Sequence, residues 1–418
     1  MKLTKPVLID AGTGLTLTYA QLLRRVERAR SRQFRRRLVA FCLPNSAAWF
    51  VRFLAIQQSG GTAVPLDPSL SSTAQERTAR KISAHYLWRA RSLRKLTPTP
   101  GLISDVWCVK VTSGTTGDLQ AIHCAAKNMQ ADGEHIIQTM GIGPDDCNLA
   151  VIPLGHSYGL GNLVMPLLLQ GTTVVCAAMF VPRQILQLIE EYKVTVLPTV
   201  PAVLRALAQL DGATKPSSLR LVISAGAPLS TEVARQFYRR YRLKIHNFYG
   251  SSETGGICYD RTGDATLSGR SVGQPLAGVT VRLRKDGRVA VRSRAGNALL
   301  PDVGEWNQYG ELRLLGRVGQ IANIGGKKVS PLEVERALRS LRGIQDVWVT
   351  VLKDKHGNDF LAAAVETGRS QKGIEIELER SLPAWKLPKA FLLAAALPRS
   401  DRGKLHTERL ELRLKAMT

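Results

Sequence analysis

Short apolar runs alternate with helix-like stretches through the first half of the chain, and this alternation constrains the fold more than any other feature. Leu38–Leu43 (LVAFCL) reads as a strand, Ser46–Gln58 as a helix and Thr62–Pro65 as the next strand. The series resumes with strand-like Cys147–Pro153, a helix near Leu163–Gln170, strand-like Thr172–Cys176, a helix over Pro182–Tyr192 and strand-like Val194–Leu197. Helical Val203–Leu210 and strand-like Leu219–Ser224 extend it. Strands separated by helices predict an α/β fold whose mostly parallel sheet is covered on both faces. Beyond Gly273 the texture shifts to short β-type runs at Thr280–Leu283, Arg288–Val291 and Glu311–Leu315, which predicts a smaller, barrel-like subdomain. After Arg317 a compact α+β pattern follows: a helix at Pro331–Ser340, strands at Val347–Leu352 and Leu361–Glu366, then a basic, proline-containing tail.

At 418 residues, 44% of them hydrophobic, the chain is too long for one core and predicts two or three packed units. No stretch approaches the roughly 18 to 20 apolar residues of a membrane span, and the N-terminus lacks a signal-peptide core; a cytoplasmic protein is expected. Six scattered cysteines, without a Cys-x-x-Cys pair, read as reduced structural thiols. The 58 Lys and Arg against 33 Asp and Glu leave a net charge of +25, which attracts polyanions. Nucleic acid is not favoured as the partner, because the densest basic run, Arg24–Arg37, carries only Phe34 as an aromatic and lies on an amphipathic helix beginning near Tyr19. An acidic cofactor such as coenzyme A, an acidic carrier protein, or simple surface composition accounts for the charge equally well.

The run TSGTTG, Thr112–Gly117, points to phosphate chemistry. Its glycines, Gly114 and Gly117, let backbone N–H groups turn inward around an anion, and Thr112, Ser113, Thr115 and Thr116 add hydroxyls. It is not a Walker A sequence, since Asp118, Leu119 and Gln120 follow Gly117. Further along stand NFYGSSETGG (Asn247–Gly256) with the carboxylate Glu253, then Asp302, LLGR ending at Arg317, IANIGGKKVSPLEVE (Ile321–Glu335) and LPRSDRGKL (Leu397–Leu405). Each alone is an ordinary loop.

In this order and spacing the segments resemble the adenylate-forming superfamily of acyl-CoA synthetases, aryl-CoA ligases and adenylation domains. LTLTYAQL (Leu15–Leu22) and GGTAVPLDP (Gly60–Pro68) add to the likeness, which spans nearly the whole chain. The resemblance implies a large N-terminal core over 1–316, with mostly parallel sheets and a β-rich subdomain, and a small mobile α+β domain over 317–418 that turns at a hinge near Gly319. It also implies ATP-dependent conversion of a fatty or aryl carboxylic acid to an acyl-adenylate, then transfer to a thiol, with ATP, Mg²⁺ and coenzyme A as cofactors. An acyl-carrier protein is the alternative acceptor, and a catalytically weakened nucleotide- or acyl-binding relative the alternative function.

Carried over residue by residue, the TSGTTG loop holds the β- and γ-phosphates, and Glu253 binds Mg²⁺. Tyr249 lies against adenine, with Gly250 and Ser252 beside it. Asp302, fourteen residues before Gly316, takes the ribose hydroxyls with help from Arg317. Lys404 reaches the α-phosphate and carboxylate and neutralises charge in the transition state. His156, in PLGHSYG, borders the acyl pocket, which Ala225, Gly226, Ala227, Asn247 and Phe248 line. No acidic residue stands beside His156, so an acid without an α-amino group is expected.

Three departures stand out. The family usually continues its phosphate loop with Pro-Lys-Gly, whereas this chain has Leu119, Gln120 and Ala121; the hinge position, usually Asp or Lys, is Gly319; and only 45 positions separate Asp67 from Thr112, so part of the N-terminal lobe is trimmed.

Overall fold

The computed structural model describes residues 4–90, 92–96, 105–113, 119–177, 181–212, 216–318, 322–324, 327–399 and 405–417. Gly114, Thr115, Thr116, Gly117, the hinge glycine Gly319 and Lys404 lie outside them.

Two parallel-centred sheets form the bulk of the molecule. In the larger, nine described strands run in the order Gln274–Pro275, Gly255–Tyr259, Ile245–Ser251, Leu221–Ser224, Val196–Thr199, Cys147–Ala150, Thr173–Cys176, Pro6–Asp10 and Leu15–Thr18. Neighbours are parallel from Ile245–Ser251 through Pro6–Asp10 and antiparallel at both edges. The second sheet orders six strands as Leu93–Lys95, Tyr86–Trp88, Leu38–Cys42, Thr62–Leu66, Cys108–Ser113 and Leu119–Cys124.

The central strands are apolar on both faces because helices cover both sides; every residue of Thr62–Leu66, Val196–Thr199 and Leu221–Ser224 is buried. The helix Ala47–Gln58, capped by the Ser46 hydroxyl on the Trp49 amide, seals one face with an aromatic stack in which Trp49 and Phe53 lie 4.8 Å apart. The amphipathic helix expected near Tyr19 spans Tyr19–Ala29, buries Leu22 and Val26, and starts with a capping box between Thr18 and Gln21.

Strands Thr280–Leu283, Arg288–Arg292, Asn297–Trp306 and Leu312–Arg317 form an antiparallel sheet of linear order rather than a closed barrel among the described residues. Farther on, Ile344–Lys353, Asp359–Thr367 and Ala390–Ala394 make a three-stranded sheet with helices Pro331–Ser340, Gln371–Glu379 and Thr407–Lys415. The stretch expected as a basic tail is therefore structured: it supplies a strand and two helices, with Leu410 and Leu414 fully buried. Its apolar positions are spaced among charges, which masks the periodicity.

Several contacts join this last region to the preceding sheets. The guanidinium of Arg336 donates to the Leu314 carbonyl at 2.9 Å. Asp346, 6% exposed, faces Arg399 at 2.6 Å and Arg339 at 3.3 Å from its own region, and Arg205 at 3.9 Å from the helix Pro201–Ala208.

Candidate active site

Three parallel strands end side by side at one edge of the large sheet, the position where open α/β sheets place ligands. Ser224 is the register partner of Thr199 on one side and of Asn247 on the other, so the Ala225–Ala227 loop leaves the sheet beside Asn247. Ala225 is buried and its N–H donates to the Thr199 carbonyl at 3.2 Å, whereas Gly226 and Ala227 are exposed. Asn247 is anchored through its backbone: the N–H donates to Thr266 Oγ1 at 2.9 Å, and the carbonyl accepts from Asp260 N at 2.9 Å.

His156 sits in the turn from Pro153 into Ser157–Gly159, and burial pushes its imidazole below the usual histidine range. This turn requires glycine at 159, since an added Cβ would lie 2.1 Å from the Pro153 carbonyl oxygen. Two residues after His156, Tyr158 is half-buried; its hydroxyl accepts from Thr199 N at 3.1 Å and donates to the Ile223 carbonyl at 3.1 Å. The phenol thus bridges two adjacent strands near their ends, while its ring lies 5.7 Å from that of Phe248. His156, Phe248 and the Ala225 loop border one region through Tyr158, a residue that the sequence reading passed over. Its signal was present in the motif as an aromatic directly after His156-Ser157.

Strand Ile245–Ser251 is the spine of the site. Past Phe248, the Tyr249 hydroxyl donates to Asp302 Oδ2 at 2.9 Å, and Arg317 Nε donates to Asp302 Oδ1 at 3.1 Å. Asp302 and Arg317 are register partners on neighbouring antiparallel strands, which fixes their meeting. Burial, reinforced by the Asp302 carboxylate, pushes the Tyr249 phenol well up, so it stays a donor. Three residues expected around a nucleoside, from three separate strands, therefore form one hydrogen-bonded group.

At the end of the spine, Gly250 faces Gly256, and the chain turns through Ser251–Gly255, with Glu253 exposed at the tip. The Ser251 and Thr254 hydroxyls lie 3.0 Å apart, and the Thr254 N–H donates to Ser251 Oγ at 3.2 Å, which braces the turn. Strands Cys108–Ser113 and Leu119–Cys124 form a hairpin in which Thr112 pairs with Gln120 and Ser113 with Leu119; the rest of the phosphate motif lies outside the described residues. Gln120, at the position where a lysine is usual, is exposed. The hairpin touches the Glu253 turn through Lys110, whose Nζ donates to the Ser252 carbonyl at 3.3 Å. Neither Lys110 nor the buried Asp132, which accepts from Gly256 N at 2.8 Å, was named from the sequence. A lysine inside the apolar run CVKV was legible as an anomaly; Asp132 on its helix was not.

A family model described as AMP-binding enzyme matches residues 2–110 and 90–297. A methyl-dioxo-octahydro-indenyl propanoyl:CoA ligase of Mycobacterium tuberculosis is 25% identical over 89% of this chain and 88% of its own length. The 2-succinylbenzoate–CoA ligase of Staphylococcus aureus is 27% identical over 74% of this chain and 67% of its own. Among solved structures, the o-succinylbenzoate CoA synthetase of Bacillus subtilis in complex with its acyl-adenylate intermediate superposes with a TM-score of 0.86, at 21% identity, covering 98% of this chain and 96% of that one. ATP-bound MatB of Rhodopseudomonas palustris gives a TM-score of 0.85 at 20% identity, covering 100% and 97%. With the family model matched over most of its length, the chain belongs to the AMP-binding enzymes, the adenylate-forming acid–thiol ligases.

Proposed function

We propose that the protein joins a fatty or aryl carboxylic acid to coenzyme A in two steps. The carboxylate oxygen attacks the α-phosphorus of ATP and pyrophosphate departs; the thiol sulfur then attacks the acyl carbon and AMP leaves. The observation that carries this reading is the Tyr249–Asp302–Arg317 group, which offers an aromatic face and an anchored carboxylate on one side of the same strand end that leads to Glu253.

In this reading Asp302 accepts from the ribose hydroxyls, its orientation held by Tyr249 and Arg317. Thr112, Ser113 and the loop after them surround the departing phosphates. Glu253 supplies a hard oxygen ligand to Mg²⁺, an ion usually held by one or two carboxylates together with substrate phosphates, and its exposed carboxylate suits that role. When bound, the ion neutralises charge on the phosphates. Lys404 approaches the α-phosphate as residues 317–418 move about Gly319, whose missing Cβ frees φ and ψ for that rotation. His156, kept neutral by burial, borders the acyl group with Phe248, Asn247 and the Ala225–Ala227 loop. Free thiols at all six cysteines support cytoplasmic residence, and no helix among the described residues is long and apolar enough to cross a membrane.

The net charge of +25 equally supports an acidic acyl-carrier protein as acceptor, and the neutral Gln120 supports a weakened enzyme that binds nucleotide with slow turnover. Exchange of labelled pyrophosphate into ATP, run across a panel of carboxylic acids, tests the first step. Exchange dependent on one acid, followed by thioester formation with coenzyme A, is the expected result. A full panel without exchange overturns the enzymatic reading in favour of a binding protein, and thioester formation on carrier protein alone reassigns the acceptor.

A further inference from the structure

Lys110 is the only lysine or arginine on the two described hairpin strands, yet it is 3% exposed. Burying an ammonium is costly unless its hydrogen bonds and charge are met. What meets it here is the Glu253 turn. Its Nζ donates to the Ser252 carbonyl, one residue before Glu253, at 3.3 Å. From the helix Ala126–Met140, Asp132, also 3% exposed, accepts from Gly256 N at 2.8 Å and occupies the space beside Gly255, where an added Cβ would lie 2.1 Å from its Oδ1. Gly255 has φ +72, so the turn closes over that carboxylate by a conformation suited to glycine. Burial pushes the Asp132 carboxyl up, and the Lys110 charge opposes that shift. A hydrogen bond with Cys108, aided by the same ammonium, holds down the thiol of Cys124 on the opposite hairpin strand. The turn bearing Glu253 is thus gripped from beneath by groups of opposite charge, one of them rooted in the hairpin that carries the phosphate motif.

We propose that Lys110 is a positioning residue that fixes the Glu253 carboxylate relative to Thr112, so that the two recognise the triphosphate and its cation as one unit. Lys110 and Thr112, two positions apart on a strand, share a face, and displacement of one end of this strand displaces the other. The inference rests on the nucleotide reading above. It assigns the recognition of the β- and γ-phosphates, and not of adenosine, to a residue that touches no phosphate itself.

Titration calorimetry with Mg-ATP and, separately, with AMP tests it without reference to turnover. In K110M the dissociation constant for Mg-ATP rises about 10- to 100-fold, the worth of one hydrogen bond from a charged group, while that for AMP stays within about threefold. K110R, which keeps charge and donors, recovers much of the Mg-ATP affinity. Because K110M strands the Asp132 carboxylate, the double variant K110M/D132N removes both charges, and its amide oxygen still accepts from Gly256. That variant keeps the wild-type denaturation midpoint and shows the same selective loss. Equal losses for AMP and Mg-ATP, or wild-type Mg-ATP affinity in the folded double variant, overturn the proposal. Wild-type protein that binds neither nucleotide overturns the functional reading and this inference with it.

Discussion

Asp302 and Arg317 stand opposite each other across one antiparallel pair, Nε to Oδ1 at 3.1 Å, while the second carboxylate oxygen takes the Tyr249 hydroxyl. Both oxygens are spoken for by donors whose positions the sheets dictate, and each oxygen retains a further lone pair for a ligand. Replacing Asp302 by alanine removes the acceptor and leaves the half-buried Tyr249 hydroxyl unpaired. The expected outcome is a 10- to 100-fold rise, on the order of 1.5 to 3 kcal/mol, in the dissociation constant for AMP, measured by calorimetry; unchanged affinity removes the ribose role from this residue.

Lys404→Ala lowers acid-dependent pyrophosphate exchange by about 10²- to 10³-fold, the cost of one preorganised donor at a developing charge. Thioester formation from a supplied acyl-adenylate should be largely spared, since the proposed role places the lysine in the first step only. Rapid-quench assays of the two steps separate these effects, and equal losses in both contradict the assignment.

Glu311 links stability to pH. Arg270 grips it with two hydrogen bonds of 2.8 Å, Asn307 and Ser271 add others, and together they hold its carboxyl down from the ordinary 4.5 to about 2. A depressed folded-state pKa means that stability is fully present above pH 4.5 and drains away as pH falls toward 2. Glu311→Gln should therefore cost roughly 2 to 3 kcal/mol at neutral pH, and the curves of variant and wild type should converge on acidification. Urea midpoints measured from pH 7 downward check the convergence; a constant gap argues that packing, not charge, is responsible.

Gly159→Ala sets a Cβ against the Pro153 carbonyl and forces the His156 turn to open. A loss of about 1 to 3 kcal/mol is expected in chemical denaturation, as for other overpacked interiors. Retention of full stability shows that the turn yields without cost.

The alternation of apolar runs and helices already specified the parallel sheets, because covered parallel strands such as Leu38–Cys42 and Val196–Thr199 carry their burial as uninterrupted hydrophobicity. Helix Pro331–Ser340 was legible to the residue, since proline at its first position marks the start. The region after Thr367 was not, because short amphipathic segments such as Gln371–Glu379 bury only Ile374 and Leu378 and otherwise read as a charged tail. At the site, local motifs disclosed Tyr249, Asp302 and Glu253 as isolated loop residues with a family likeness. That the hydroxyl of Tyr158 bridges Thr199 to Ile223, or that Lys110 reaches Ser252, follows only from tertiary pairing across 41 to 142 positions, which no local pattern encodes.

The arginines around Asp346 are unequally owned: Arg339 and Arg399 travel with it, whereas Arg205 belongs to the other side of the join. Parting the two sides would withdraw only the most distant guanidinium and leave the Asp346 carboxylate neutralised by Arg339 and Arg399. At Asp346, then, the join draws only its longest ion pair from the far side, and a substitution confined to Arg205 is expected to weaken that join while sparing the two pairs within the region.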